Sequence, residues 1–197
     1  MIDLNNKAEH KSLSEDRHLF KRISQNEYKA LDLLFNKYYD PLCGFGNLFE
    51  KDQMIIEEQV SDVFMLLWNK REALTEIENP KSYIYVIAKN LLIKKNKYVK
   101  NKHYLDDKKE NQLVLKAHPS FEEEVIDQEH QLAYQKAIAQ ILKEIPKKSR
   151  EIFEMSRVEG LKYKEISEIM GISPRTVENH IATALRLISK KVATISF

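Results

Sequence analysis

Residues 171–191 read GISPRTVENHIATALRLISKK. Gly171 can supply the positive φ that ends one helix and turns the chain. Ser173 is a good N-cap, and Pro174 fits the first helical position. Val177, Ile181, Ala184, Leu185 and Ile188 then recur at helical spacing and form one apolar stripe. Arg175, Asn179, Thr183, Arg186 and Lys190 lie on the opposite face. Upstream, LKYKEISEIM (161–170) predicts a short helix with Ile166, Ile169 and Met170 turned inward. Two helices joined by a tight glycine turn fit a helix-turn-helix. In that motif the second helix lies in the major groove with its first residues at the bases. Arg, Asn and Thr carry the donors and acceptors that base edges require. An amphipathic helix alone would more simply be an ordinary surface helix. The glycine turn, the Ser-Pro start and the short preceding helix favour DNA.

Working backwards from this motif, the rest of the chain also reads as helical. Leu31, Leu34, Phe35, Tyr38 and Leu42 line one helical face. Ile56, Val60, Val63, Phe64 and Leu67 line a second, which ends at Trp68. KREALTEIENPK (70–81) reads as a loop broken by Asn79-Pro80, and a third helix follows from Lys81. Residues 1–20 are mixed and polar, with only a few apolar positions for a helix end. Residues 101–127 hold His118-Pro119, many charges and little periodicity, as a linker does. A second helical block begins near Leu132, stops at Pro146 and resumes up to the helix-turn-helix. With four glycines and five prolines, the 197-residue chain has too few turn formers for a β fold. The expected class is all-α: two small helical domains joined by a flexible linker, the second ending in the helix-turn-helix.

Net charge is only +2, from 32 basic and 30 acidic residues, so charge distribution must carry any nucleic-acid argument. Between Asn79 and Leu105 there is no acidic residue, but there are seven lysines: 81, 89, 94, 95, 97, 100 and 102. Tyr83, Tyr85, Tyr98 and Tyr104 share that window. Lysines neutralise phosphates, and aromatic rings offer stacking platforms for unpaired bases. Solvated lysines and core tyrosines are the commoner readings of each alone; together they favour nucleic acid. The preceding helix differs. It places Glu57, Glu58, Ser61, Asp62 and Met65 away from its apolar stripe. That acidic face would repel DNA and suits a basic protein surface, although simple solvation explains it equally well.

Other chemistries find little support. The lone Cys43 allows no intrachain disulfide and reads as a buried small apolar residue. The six histidines are scattered, with no paired-cysteine zinc spacing and no glycine-rich phosphate loop. No enzyme activity, cofactor, metal or small-molecule substrate is expected. The polar start and the lack of an apolar run of about 20 residues point to a cytoplasmic protein.

The ordered motifs resemble the extracytoplasmic-function group of the sigma-70 family, which retains regions 2 and 4. ALDLLFNKYYDPL (30–42), EEQVSDVFMLLW (57–68) and SYIYVIAKNLLIKKNK (82–97) are similar to successive segments of region 2. IPKKSREIFEMSRVEGLKYKEISEIMGISPRTVENHIATALRLI (145–188) resembles region 4 along its length. The resemblance implies region 2 over 1–100, a linker over 101–130 and region 4 over 131–197. It implies an alternative sigma factor that binds core RNA polymerase and directs it to promoter DNA. Glu57, Glu58, Asp62 and Met65 would dock the β′ clamp helices, and region 4 would meet the β flap. Lys81, Tyr83, Lys89 and Asn90 would capture the −10 element as its strands part. Arg175, Thr176, Glu178, Asn179, Thr183 and Arg186 would read the −35 element. Asn179 ranks first, lying most nearly opposite the apolar stripe; His180 flanks the stripe and suits packing or a phosphate contact. An anti-sigma factor would supply control. VENHIATAL (177–185) resembles the iron-citrate type, whose anti-sigma partners are membrane-bound. Ser61, Gln59, Lys94 and Val86 depart from common family residues, which bears on the details of strand opening. SPRTVENHI (173–181) is also similar to the output motif of LuxR-type regulators, so a stand-alone helix-turn-helix regulator is the alternative.

Overall fold

The computed structural model describes the backbone of residues 2–102 and 141–192, and the side chains of 12–95 and 141–191. Every regular element among the described residues is a helix. In order they are α1 (Ile2–Ser24), α2 (Tyr28–Gly46), α3 (Gln53–Asn69), a 3₁₀ helix (Arg71–Glu76), α4 (Pro80–Lys102), α5 (Lys147–Arg157), α6 (Tyr163–Met170) and α7 (Pro174–Val192). Residues 141–144 are also helical. The linker read at 101–130 and the block start near Leu132 fall almost wholly outside the described residues.

Helices α2 and α3 form the centre of the first block, and their expected stripes do the packing. Leu34, Leu42, Ile56, Val60, Val63 and Leu67 are fully buried. Each such side chain contributes about 1.5–3 kcal/mol relative to exposure. Asp52 caps α3, its carboxylate accepting the Met54 N–H at 2.9 Å. Gly46 closes α2 against α3 because there is no room for more. A Cβ there would sit 2.6 Å from Ile56 Cγ2.

Two segments differ from the sequence expectation. The polar first twenty residues are part of a 23-residue helix, α1. Its Phe20 and Ile23 are buried, and so is Asp16. The Asp16 carboxylate accepts from the Tyr38 hydroxyl at 2.6 Å and from Lys37 Nζ at 2.5 Å. A charged residue at a core position hid the apolar period. The segment 70–81 is not a plain loop either, since Arg71–Glu76 form a 3₁₀ helix that buries Leu74. Arg17 of α1 donates from Nε and Nη2 to the Glu78 carbonyl at 2.8 and 2.6 Å, holding the approach to α4. Cys43 is half-buried, less enclosed than its apolar reading implied.

The second block folds as its local signals require. Gly171 is left-handed, with φ 63° and ψ 40°. The Ile172 N–H reaches the Ser167 carbonyl at 3.0 Å and the Gly171 N–H reaches that of Glu168 at 3.4 Å. This pair of bonds satisfies the orphan carbonyls at the end of α6. Ser173 caps α7 by accepting the Thr176 N–H at 3.1 Å. Val177, Ile181 and Ala184 are buried as the stripe predicts, but Leu185 is 41% exposed at its edge. The two blocks are not held apart: one continuous apolar cluster runs from Phe20 and Leu92 to Ile152, Ile166 and Ile181. No described helix is long and apolar enough to cross a membrane.

Candidate nucleic-acid and docking surfaces

Three surfaces carry the residues singled out from sequence. The first is the outer face of α7. Arg175, Glu178, Asn179 and Arg186 are exposed there. Arg175 pairs with Glu178 at 3.1 Å, a surface contact worth about 0–1 kcal/mol and so readily exchanged for DNA. Thr176 and Thr183 are half-buried and already engaged. Thr176 Oγ1 bonds Ser173 Oγ at 2.8 Å, and Thr183 donates to the Asn179 carbonyl at 2.8 Å. Their hydroxyls serve the helix itself, which leaves Asn179 and Arg186, and Arg175 once it parts from Glu178, as the donors of this face. His180 faces sideways, its Nδ1 lying 2.9 Å from Ser149 Oγ, and so ties α7 to α5.

The second surface is on α4 and the turn before it. Asn90 and Lys94 are exposed. Tyr83 is half-buried, its ring edge-on to Phe20 at 6.4 Å. Tyr85 corrects the sequence reading. It is 3% exposed and packs edge-on to Phe45 at 4.9 Å, so it offers no stacking platform. Burial raises its hydroxyl above the ordinary range, followed by the charges of Glu159 and Glu165. Lys81 and Lys89 are not free either. Lys81 Nζ lies 2.9 Å from Glu165 of α6. Lys89 Nζ donates to the Ile169 carbonyl at the end of α6. Burial lowers the Lys89 ammonium pKa, and the nearby Lys148 adds to that. The side chains of Lys97, Lys100, Lys102, Tyr98 and Tyr104 fall outside the described ones.

The third surface is the outer side of α3. Glu57, Glu58 and Met65 are exposed and Asp62 is half-buried. Glu58 pairs with Lys95 of α4 at 3.1 Å. A groove of about 390 Å³ beside Met65 extends this face onto α2, between Tyr28, Leu31, Phe35, Phe64 and Trp68. Sequence reasoning missed the α2 half. Tyr28 is 69% exposed and meets Trp68 edge-on at 5.7 Å. The signal was an aromatic residue at the start of α2, three and seven residues before Leu31 and Phe35 and so at the edge of its apolar stripe. Among the described residues no three His, Cys, Asp or Glu side chains cluster as metal ligands.

Comparison with known proteins bears on this arrangement. Residues 135–188 match the family model "Sigma-70, region 4". RNA polymerase sigma factor SigZ of Bacillus subtilis is 30% identical over 140 residues, covering 71% of this chain and 74% of that protein. The ECF RNA polymerase sigma-E factor of Haemophilus influenzae is 24% identical over 184 residues, covering 90% and 95%. Among solved structures, CnrH in complex with the cytosolic domain of CnrY superposes with a TM-score of 0.59. It is 18% identical and the match covers 92% of this chain and 99% of that one, a likeness of fold. None of these is a LuxR-type regulator. The helix-turn-helix on α6 and α7, the matched region 4 and the relatives over most of the length agree: the chain belongs to the extracytoplasmic-function group of the sigma-70 family.

Proposed function

We propose that this protein is an alternative sigma factor that binds core RNA polymerase and directs it to specific promoters. The observation that carries the reading is the open outer face of α7, where Arg175, Asn179 and Arg186 project from a capped helix-turn-helix within the region 4 match. That face reads the −35 element. The face of α4 bearing Lys81, Tyr83, Lys89 and Asn90 takes the parted −10 strand. The α3 face of Glu57, Glu58, Asp62 and Met65 docks the β′ clamp helices, with the groove at Tyr28 and Trp68 completing it. Region 2 spans 1–100, the linker 101–130 and region 4 131–197, the last meeting the β flap. The polymerase performs the chemistry and the protein itself turns over no substrate. It works in the cytoplasm, where the polymerase and promoters are. An anti-sigma factor, membrane-bound by the likeness of VENHIATAL to the iron-citrate type, controls it.

The deciding experiment is run-off transcription with purified core polymerase on genomic promoter fragments, with and without the protein. Transcripts with defined starts that require the protein support the reading. Specific duplex binding with no transcript and no co-elution with core would overturn it.

A further inference from the structure

His180 follows Asn179 on α7, and its ring is tied to α5. Its Nδ1 lies 2.9 Å from the Oγ of Ser149, in the first turn of α5. Ser149 is 3% exposed, and among the described residues its hydroxyl has no other hydrogen-bond partner. That burial decides where the imidazole proton sits. Were Nδ1 protonated, it would donate to Ser149 and leave the serine O–H buried without an acceptor, a costly arrangement. The serine therefore donates and Nδ1 accepts. A neutral imidazole that accepts at one nitrogen carries its proton on the other, so His180 bears its N–H at Nε2. Nε2 has no partner among the described residues, where Ser82 Oγ alone is a side-chain nitrogen or oxygen both buried and unpaired. The Nε2–H is thus open to solvent, on the side of the ring turned away from α5. Successive residues of a helix point about 100° apart. His180 therefore stands on the flank of α7, between the outward Asn179 and the buried stripe of Val177 and Ile181. A helix seated in the major groove turns its outer face to the base edges and its flanks to the sugar–phosphate walls. The residues before Ser149 are Lys147 and Lys148, both exposed, which brings positive charge to this side of the motif.

We propose that Ser149 is a positioning residue for −35 recognition. By donating to Nδ1 it holds His180 with its Nε2–H outward, where that group donates to a phosphate oxygen on the wall of the groove. The proposal rests on the −35 reading of α7 given above. Asn179 and its neighbours then read bases, while His180 fixes the register of the helix against the backbone. Such a contact carries no sequence information, but it sets how α7 enters the groove. Ser149 touches no DNA and acts through the ring alone. Without the serine the ring is free to rotate and to exchange tautomers, and both raise the ordering cost of the contact.

Imidazole nitrogen NMR on the free full-length chain, at mildly alkaline pH, reads the tautomer, with His180→Leu assigning the signals. A proton on Nε2 is expected; a proton on Nδ1 would overturn the proposal even if transcription is normal. Binding is then read with the protein on core polymerase, at a promoter mapped by run-off. The −35 phosphates are replaced one at a time by neutral methylphosphonate. One replacement should weaken the wild type about tenfold. His180→Leu should bind native DNA about tenfold more weakly on every −35 sequence alike, and should be indifferent to that one replacement. Ser149→Ala, compared at matched folded fractions, should lose most of the same coupling and respond normally to the other replacements. Ser149→Cys, a weaker donor of similar size, should fall between Ser149→Ala and the wild type. Equal sensitivity of wild type and His180→Leu to every replacement would overturn the phosphate contact. A Ser149→Ala protein weakened alike at all phosphates would overturn the positioning role and leave the serine a packing residue. The absence of any protein-dependent transcript would overturn the function proposed above and the phosphate contact with it, whereas transcripts without the coupling would overturn the contact alone.

Discussion

At the scale of single residues, Asn179 and Asp16 mark two kinds of importance. Asn179 projects from α7 with its side chain free of the helix, and no packing depends on it. Asn179→Ala should leave stability unchanged and cost about 1–3 kcal/mol at one −35 base pair, seen as relaxed preference there in competition binding. An equal loss on every sequence would assign it to phosphate instead. Asp16 is the reverse case, buried and part of none of the three surfaces. Burial raises the Tyr38 hydroxyl well above its ordinary range, and the charge of Asp16 adds to this. The phenol therefore stays protonated and donates. Asp16→Ala leaves that donor without its acceptor in the core, a loss of about 1–3 kcal/mol. Urea unfolding should show it, with the DNA sequence preference unaltered.

At the scale of elements, close approach and turn geometry set the positions of the surfaces. The α2–α3 pair that forms the proposed docking groove depends on Gly46, since a Cβ there meets Ile56. Gly46→Ala should destabilise by about 1–3 kcal/mol, the usual cost of forcing extra volume into a packed contact. It should also weaken core polymerase binding by shifting α3 relative to Tyr28, measured by co-elution at matched folded fractions. Gly171 has a different reason. A Cβ there meets nothing within 4 Å, so the constraint is the left-handed backbone alone. Gly171→Ala should cost about 1–2 kcal/mol through strain, lowering the thermal midpoint without a packing defect.

At the scale of the whole molecule, the contact between its halves carries carboxylates that burial disfavours. Burial raises the pKa of Glu159, and the neighbouring charge of Glu154 adds to this. Burial also raises that of Glu154, against the opposing pull of Arg150 and Lys51. A carboxyl whose folded pKa lies above its unfolded one stabilises the fold below the unfolded value, and that stabilisation is lost as pH rises through the folded value. Mild acidification should therefore tighten the folded state as far as these groups are concerned. Glu159→Gln should raise the urea midpoint at about pH 7 and lose that advantage near pH 4, where the wild-type carboxyl is also neutral. An equal gain at both pH values would mean that packing, not ionisation, is responsible.

The sequence by itself determined helices α2, α3 and α7 and the helix-turn-helix. The Leu31–Leu42 and Ile56–Leu67 stripes, the Gly171 turn and the Ser173–Pro174 start are local patterns, and helical period and cap chemistry act within a few residues. The exposed face of α7 follows from them, because a helix with a settled apolar stripe has a settled opposite side. Helix α1 was not legible, since Asp16 occupies a core position that only a partner 22 residues away in sequence makes tolerable. Tyr85 and Lys89 sit on one helix and were read alike as nucleic-acid contacts. Tertiary structure buries the first in the α2–α4 core and gives the second to the end of α6. Long-range packing also decided the Tyr28–Trp68 groove and the covered face of α4. Which residues of a helix face water is a local property of its sequence, but which of those another part of the chain then covers depends on contacts that no local pattern encodes.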